Sequence, residues 1–258
     1  MTPPILRPLS VGEILDTSFS LYRRHFGALA TVSLICTGLP LVLRLFVEAA
    51  GGLFTQIPLA LVYLLSLVVL SLVATGATVF IVSESYLGRP LSAREALMRA
   101  TPYMGRILIA SLLMALVVGL GFMLMVIPGI ILGVGLALAI PAVVLEPGRS
   151  ASGALSRSWE LTRGSRWRIF GLGIVLFVLL YIPVVAISGL VAVFLPRGAG
   201  ASFAASSTST IVALAIGGLV QLFIYPLFYC VLTVTYYDLR VRKEGFDLEL
   251  LASSLQTA

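Results

Sequence analysis

The stretch ILIASLLMALVVGLGFMLMVIPGIILGVGLALAIPAVVL, residues 107–145, runs for 39 residues without a formal charge. As one helix it would be roughly 58 Å long, about twice the hydrocarbon thickness of a bilayer. Its middle reads Ile127-Pro128-Gly129-Ile130, and a Pro-Gly pair disfavours continuous helix. The spacing predicts two membrane spans, 107–127 and 130–145, joined by a tight turn at Pro128-Gly129. The orientation of everything downstream depends on that division.

The rest of the chain agrees with a membrane setting. Of 258 residues, 59% are hydrophobic and 11% charged, against roughly 25% charged in ordinary soluble domains. Mean hydropathy is +1.10. Further apolar runs predict spans at 27–43, 57–82, 169–195 and 211–236. Six spans with both termini inside place fifteen of the 17 basic residues on the inner side, leaving only Arg44 and Arg197 outside. Merging the central pair would split them 8 to 9, so the inside-positive bias selects six spans with cytoplasmic termini. The same bias accounts for the net charge of +6, which therefore points to lipid headgroups and not to nucleic acid. The N-terminus MTPPILRPLS lacks the apolar core of a cleaved signal. Cys36 and Cys230 both lie in apolar runs and read as small buried hydrophobes.

A short motif recurs. RPLSVGE at 7–13 and RPLSARE at 89–95 each carry Ser-x-x-Glu, the spacing of a capping box that starts a helix. After the first, Val11, Ile14, Leu15, Ser18, Phe19 and Tyr22 form one face of an amphipathic helix ending at Arg23 and Arg24. The second runs from Ser92 to about Thr101, where Pro102 marks its end. A fainter third copy begins at Ser150. The expected fold is all-α: six transmembrane helices in three hairpins, each preceded by a cytoplasmic interfacial amphipathic helix. The repeat units fall at about 8–82, 90–145 and 148–236, followed by a cytoplasmic tail, 237–258, of one integral membrane domain.

Catalytic constellations are scarce. The one histidine, His25, supports neither a metal cluster nor a Ser–His–Asp arrangement, and no phosphate-cradling glycine loop or zinc-ligand spacing occurs, so neither cofactor nor metal is expected. Arg44 and Glu48 are spaced as a helix-surface ion pair, and Gln221 is expected to make an interhelical hydrogen bond. Pro40, Pro141, Pro183 and Pro226 predict bends, and Gly119, Gly121, Gly133, Gly135, Gly171 and Gly173 predict close helix packing. RSWELTRGSRWR at 157–168 and YYDLRVRKEG at 236–245 are the richest polar stretches. Tryptophan beside arginine is the usual interfacial anchor. The alternative is an anion or lipid-headgroup site in which Arg157, Arg163, Arg240 and Arg242 hold a phosphate, oriented by Asp16 and Asp238, with Arg23 and Trp159 beside them.

LRPLSVGEILDTSFSLYRRHFG at 6–27, IPGI at 127–130, PAVVLEPGRSASGALSRSWELTRGSRWRIFG at 141–171 and YYDLRVRKEGFDLELL at 236–251 together resemble one bacterial family. It is the glycerophosphoryl diester phosphodiesterase membrane-domain family, polytopic proteins of unestablished function. In some members the membrane region is joined to a soluble phosphodiesterase barrel that uses acidic residues and histidines on a metal. With a single histidine and all 258 residues assigned to spans and connectors, that activity does not carry over. The resemblance implies a plasma-membrane module working with a lipid or envelope partner. Two readings of function remain: a non-enzymatic scaffold or accessory subunit, or a lipid or amphiphile binding or transport protein with an arginine-rich cytoplasmic headgroup site. An intramembrane enzyme is disfavoured.

Overall fold

The computed structural model describes residues 7–50, 52, 56–194 and 207–248. Arg197 and the tail beyond 248 lie outside the described residues. Among those described there are helices and no strands. Six helical segments are long and apolar enough to cross a membrane: Phe26–Ala49, Ile57–Tyr86, Ala93–Leu124, Val126–Leu145, Arg166–Ala186 and Leu214–Glu244. Leu65, Leu112, Met123 and Phe177 are among many large apolar side chains that face outward, as lipid-facing helices require.

Helix α1, Val11–Arg24, opens with a complete capping box. The Glu13 N–H donates to Ser10 Oγ at 3.3 Å, and Ser10 N–H donates to Glu13 Oε2 at 2.7 Å. Those bonds, backbone first, with the Arg7 guanidinium, hold the Glu13 carboxyl down at about 2. The box recurs at Ser92 and Glu95 ahead of α5, Ala93–Ala100. In both motifs the leucine before the cap is buried with the fourth helical residue: Leu9 with Ile14, Leu91 with Ala96. These pairs sit in one core cluster, in the manner of a hydrophobic staple. The third copy is half a box, since Ser150 accepts from Gly153 N–H at 3.1 Å and no glutamate answers it.

The first span is not one regular helix. It consists of α2, Phe26–Ser33, a π turn over Leu34–Gly38, and α3, Leu39–Ala49. Pro40, without an N–H, stands in the first turn of α3 directly after the π turn. Arg44 and Glu48 pair on α3 at 3.0 Å. Helix α4, Ile57–Tyr86, is continuous. From α5 a single 3-10 turn, Thr101–Tyr103, leads into α6, Met104–Leu124. Gly76 of α4 makes room for this passage, because a Cβ there would come within 3.0 Å of the Ala100 Cβ.

Within 107–145 the chain breaks at two places that differ from expectation. The turn in 107–145 falls at Met125, whose backbone is fully extended, and not at Pro128-Gly129. Pro128 sits instead in the first turn of α7, Val126–Leu136, where its missing N–H has no partner to lose. The second break is at Ala137-Leu138, before α8, Ala139–Leu145. Pro141 explains it: proline has no N–H for the Ala137 carbonyl four residues earlier. Helix α9 is Ala151–Thr162, α10 is Arg166–Phe194 and α11 is Ser207–Glu244.

Helix α11 is the central element. It packs against α1, α2, α3, α4, α8, α9 and α10. Its 38 residues span roughly 57 Å, so the helix continues through 237–244 instead of ending at Tyr236. That extension is held because Tyr236, Tyr237, Asp238 and Leu239 are all buried. Gln221 is exposed and makes no interhelical hydrogen bond among the described residues, contrary to expectation.

Candidate functional site

The arginine-rich end of the bundle is organised around carboxylates at the ends of spans. Glu84, near the end of α4, pairs with Arg89 at 3.2 Å and Arg99 of α5 at 3.4 Å. Glu146, just after α8, pairs with Arg149 and with Arg157 Nε at 2.7 Å, and the Tyr236 hydroxyl donates to it at 2.8 Å. Asp238 of α11, 1% exposed, takes Arg168 at 2.6 Å and Arg242 at 3.1 Å. Each carboxylate therefore ties the end of one span to a neighbouring segment.

The Asp238 cluster does more than pair charges. Its Oδ1 accepts the Leu9 N–H at 2.7 Å, while Arg242 Nη2 donates to the Leu9 carbonyl at 2.6 Å and Arg168 Nη2 donates to the same oxygen. The peptide just before α1 is gripped from both sides by residues more than 150 positions away. A buried carboxylate costs several kcal/mol to desolvate, and two guanidinium groups plus an amide are what offset it.

Helix α9 fills the break between α7 and α8. Ser158 Oγ donates to the Gly135 carbonyl at 2.8 Å and accepts the Leu138 N–H at 3.1 Å, and Thr162 Oγ1 donates to the same carbonyl at 3.1 Å. Backbone groups freed in an apolar interior require such partners. Gly135 is also where Trp159 lands, since a Cβ there would sit 2.4 Å from the indole. Arg166 lies over the face of that ring, 3.7 Å from its centre.

Beside Glu146 lies a cavity of about 600 Å³ whose walls include Arg149, Arg157 and Arg240, the Pro147-Gly148 turn and Phe246. Glu244, behind it, takes both terminal nitrogens of Arg157 and Arg240 Nε at 3.2 Å. Burial works to raise the Glu146 carboxyl, but hydrogen bonds from Arg157 and Tyr236 with the Arg157 and Arg149 charges hold it below its usual value. Arg157 is shifted upward, chiefly by its bond to Glu244. Two apolar grooves, about 340 and 500 Å³, flank the α7–α8 break and share Gly133, Ala137, Phe228 and Leu232.

The eight residues grouped from sequence fall into separate places. Arg157 and Arg240 meet at the cavity, and Asp238 and Arg242 form the grip on Leu9. Trp159 packs on Gly135. Asp16, Arg23 and Arg163 are exposed and join neither cluster by a side-chain bond among the described residues, although the Arg163 carbonyl receives Lys243 Nζ. Sequence reasoning missed Glu146, Arg149, Glu244 and Arg168. The i, i+4 spacing of Arg240 and Glu244 was the one available signal.

Helices on this scale, with an apolar exterior and a charged end, define a multi-pass membrane protein. The chain belongs to the DUF7847 family, a domain of unknown function, whose signature matches residues 64–239. It is also similar to a UPF0259 membrane protein of Pectobacterium carotovorum subsp. carotovorum, 33% identical over 91 residues, covering 35% of this chain and 36% of that protein. The match thus spans little more than a third of the curated relative. No solved structure matches.

Proposed function

We propose that this protein is a non-enzymatic membrane scaffold or accessory subunit that presents its arginine-rich end on the cytoplasmic face of the cell membrane. The observation that carries this reading is the grip of Asp238, Arg168 and Arg242 on Leu9, which ties the first amphipathic helix to the last span. A surface fixed in this way keeps Arg23, Arg24, Arg94 and Arg163 exposed at set positions. Fixed basic groups suit an acidic partner surface. The orientation follows from the crowding of arginines at that end. His25 serves as the backbone joint between α1 and α2, which suits a structural role. The resemblance to the glycerophosphoryl diester phosphodiesterase membrane-domain family adds a lipid or envelope setting.

The test is gentle extraction into native nanodiscs followed by affinity purification and mass spectrometry. The reading expects a stoichiometric protein partner that is lost when Arg23, Arg24 and Arg94 are reversed to Glu. Recovery of the lone chain under conditions that preserve other membrane complexes would overturn it.

A further inference from the structure

We infer that the crevice between α7 and α11 is a binding site for one hydrocarbon chain of a membrane lipid. Helix α7 packs on α6, α9 and α10. The two apolar grooves lie in the space between it and α11, one on the α10 side and one on the α6 side. They meet at Gly133, Ala137, Phe228 and Leu232, which line both. The α10 wall runs from Ile169 to Phe177 and the α6 wall from Met114 to Phe122, each about 12 Å of helix. The first wall starts next to Arg168 at the arginine-rich end, and the second stops two residues before α6 ends. End to end they cover about 24 Å of a hydrocarbon layer about 30 Å thick.

Glycine shapes this crevice. Where glycine serves packing elsewhere in the bundle, a side chain fills the space: Trp159 at Gly135, Phe122 at Gly129 and Leu41 at Gly218. At Gly133 an added Cβ would meet only Val118 Cγ1, at 3.8 Å, and at Gly119 and Gly173 it would meet nothing within 4 Å. All three glycines line the grooves, so their missing side chains widen the crevice instead of drawing helices together.

Size and polarity select the occupant. A helix about 10 Å across and 12 Å long takes roughly 900 Å³, well above either groove, at about 340 and 500 Å³. A methylene chain about 5 Å across at carbon contact distances takes roughly 240 Å³ over the same length. Among the described residues, Thr235 is the one polar side chain on the α10-side groove, and its hydroxyl donates to the Val231 carbonyl of its own helix at 2.7 Å. The grooves open sideways past Phe177 and Phe228, 61% and 40% exposed, so they are continuous with the lipid-facing surface of the spans. At the arginine-rich end Phe170 of the wall meets Trp167 edge-on at 5.9 Å. Trp167 is 86% exposed, the placement of an aromatic at the headgroup boundary.

The test uses the full-length chain in nanodiscs of phosphatidylcholine that carries a diazirine midway along one acyl chain, with adducts mapped by mass spectrometry after illumination. Adducts are expected to concentrate on the groove residues Gly133, Ala137 and 172–177, above the level on residues 61–68 of α4, whose apolar side chains are more exposed and report bulk lipid. Gly133→Leu fills the junction and should lower the groove adducts about tenfold, the effect of about two methylenes losing contact, while 61–68 stay unchanged. Gly173→Leu fills the α10 wall independently and should do the same. Both replace glycine inside a helix with a better helix former, and an unchanged melting temperature in either variant shows that the fold is not the cause. Groove residues labelled no more than 61–68, as a second copy of this chain covering the crevice would produce, would overturn the assignment. So would groove labelling that persists in both variants.

Discussion

At the scale of single residues, two positions show how small choices govern the bundle. Gly135 accepts two hydroxyl donors on its carbonyl and gives its missing side chain's space to Trp159. A methyl group there would lie 2.4 Å from a rigid ring whose face is covered by Arg166. Gly135→Ala is therefore expected to destabilise by about 1–3 kcal/mol, as overpacked cores do. The cost should shrink in a Trp159→Leu background, read as a non-additive shift in melting temperature of the detergent-solubilised protein. Glu146 makes the second case. Its folded carboxyl titrates below the unfolded value of about 4.3, so its stabilisation is complete above that pH and is lost as pH falls through the folded value. Thermal melting should therefore weaken below about pH 4. In Glu146→Gln that acid-dependent loss should be smaller, with lower stability at neutral pH.

At the scale of elements, the short helix α9 acts as the repair for a broken span. Without Ser158, the Leu138 N–H at the start of α8 loses its side-chain acceptor and Gly135 loses one of two donors. Ser158→Ala is expected to cost about 1–3 kcal/mol, the penalty for a buried unsatisfied group. Ser158→Thr should retain most of the stability, which differential scanning fluorimetry would register. Much at this level was legible in sequence. Both capping boxes were readable because Ser10–Glu13 and Ser92–Glu95 act over three residues, where spacing alone sets the geometry. The division of 107–145 was readable from length, but its exact place was not. Proline is tolerated in a first turn, so Pro128 moved inside α7 and left Met125 to make the turn. The break at Ala137 left its signal in Pro141, four residues on, although proline in a span is common enough that the position alone does not reveal a break.

At the scale of the whole molecule, the chain closes on itself. Helix α11 belongs to both core clusters, with Cys230, Val231 and Val234 in one and Tyr236 and Leu239 in the other. Its far end grips the segment ahead of α1. None of this was legible, because Leu9 and Asp238 are 229 positions apart and nothing local to either names the other. The same holds for the cavity, where Arg149 and Arg157 are brought to Arg240 only once α9 docks beside α11. Arginines scattered along a membrane protein read first as topology signals, and only the carboxylates they meet reveal which of them are held in place.

The most direct test of the closed arrangement is hydrogen–deuterium exchange by mass spectrometry on the full chain in nanodiscs, comparing the unaltered protein with Asp238→Asn. The substitution keeps the shape of the side chain but removes the charge that holds Arg168, Arg242 and the Leu9 amide. Residues 7–24 should be protected in the unaltered protein and exchange at least tenfold faster in the variant, while α4 stays unchanged. Rapid exchange of 7–24 in both proteins, or equal protection in both, would contradict the claim that Asp238 holds the first helix to the last span.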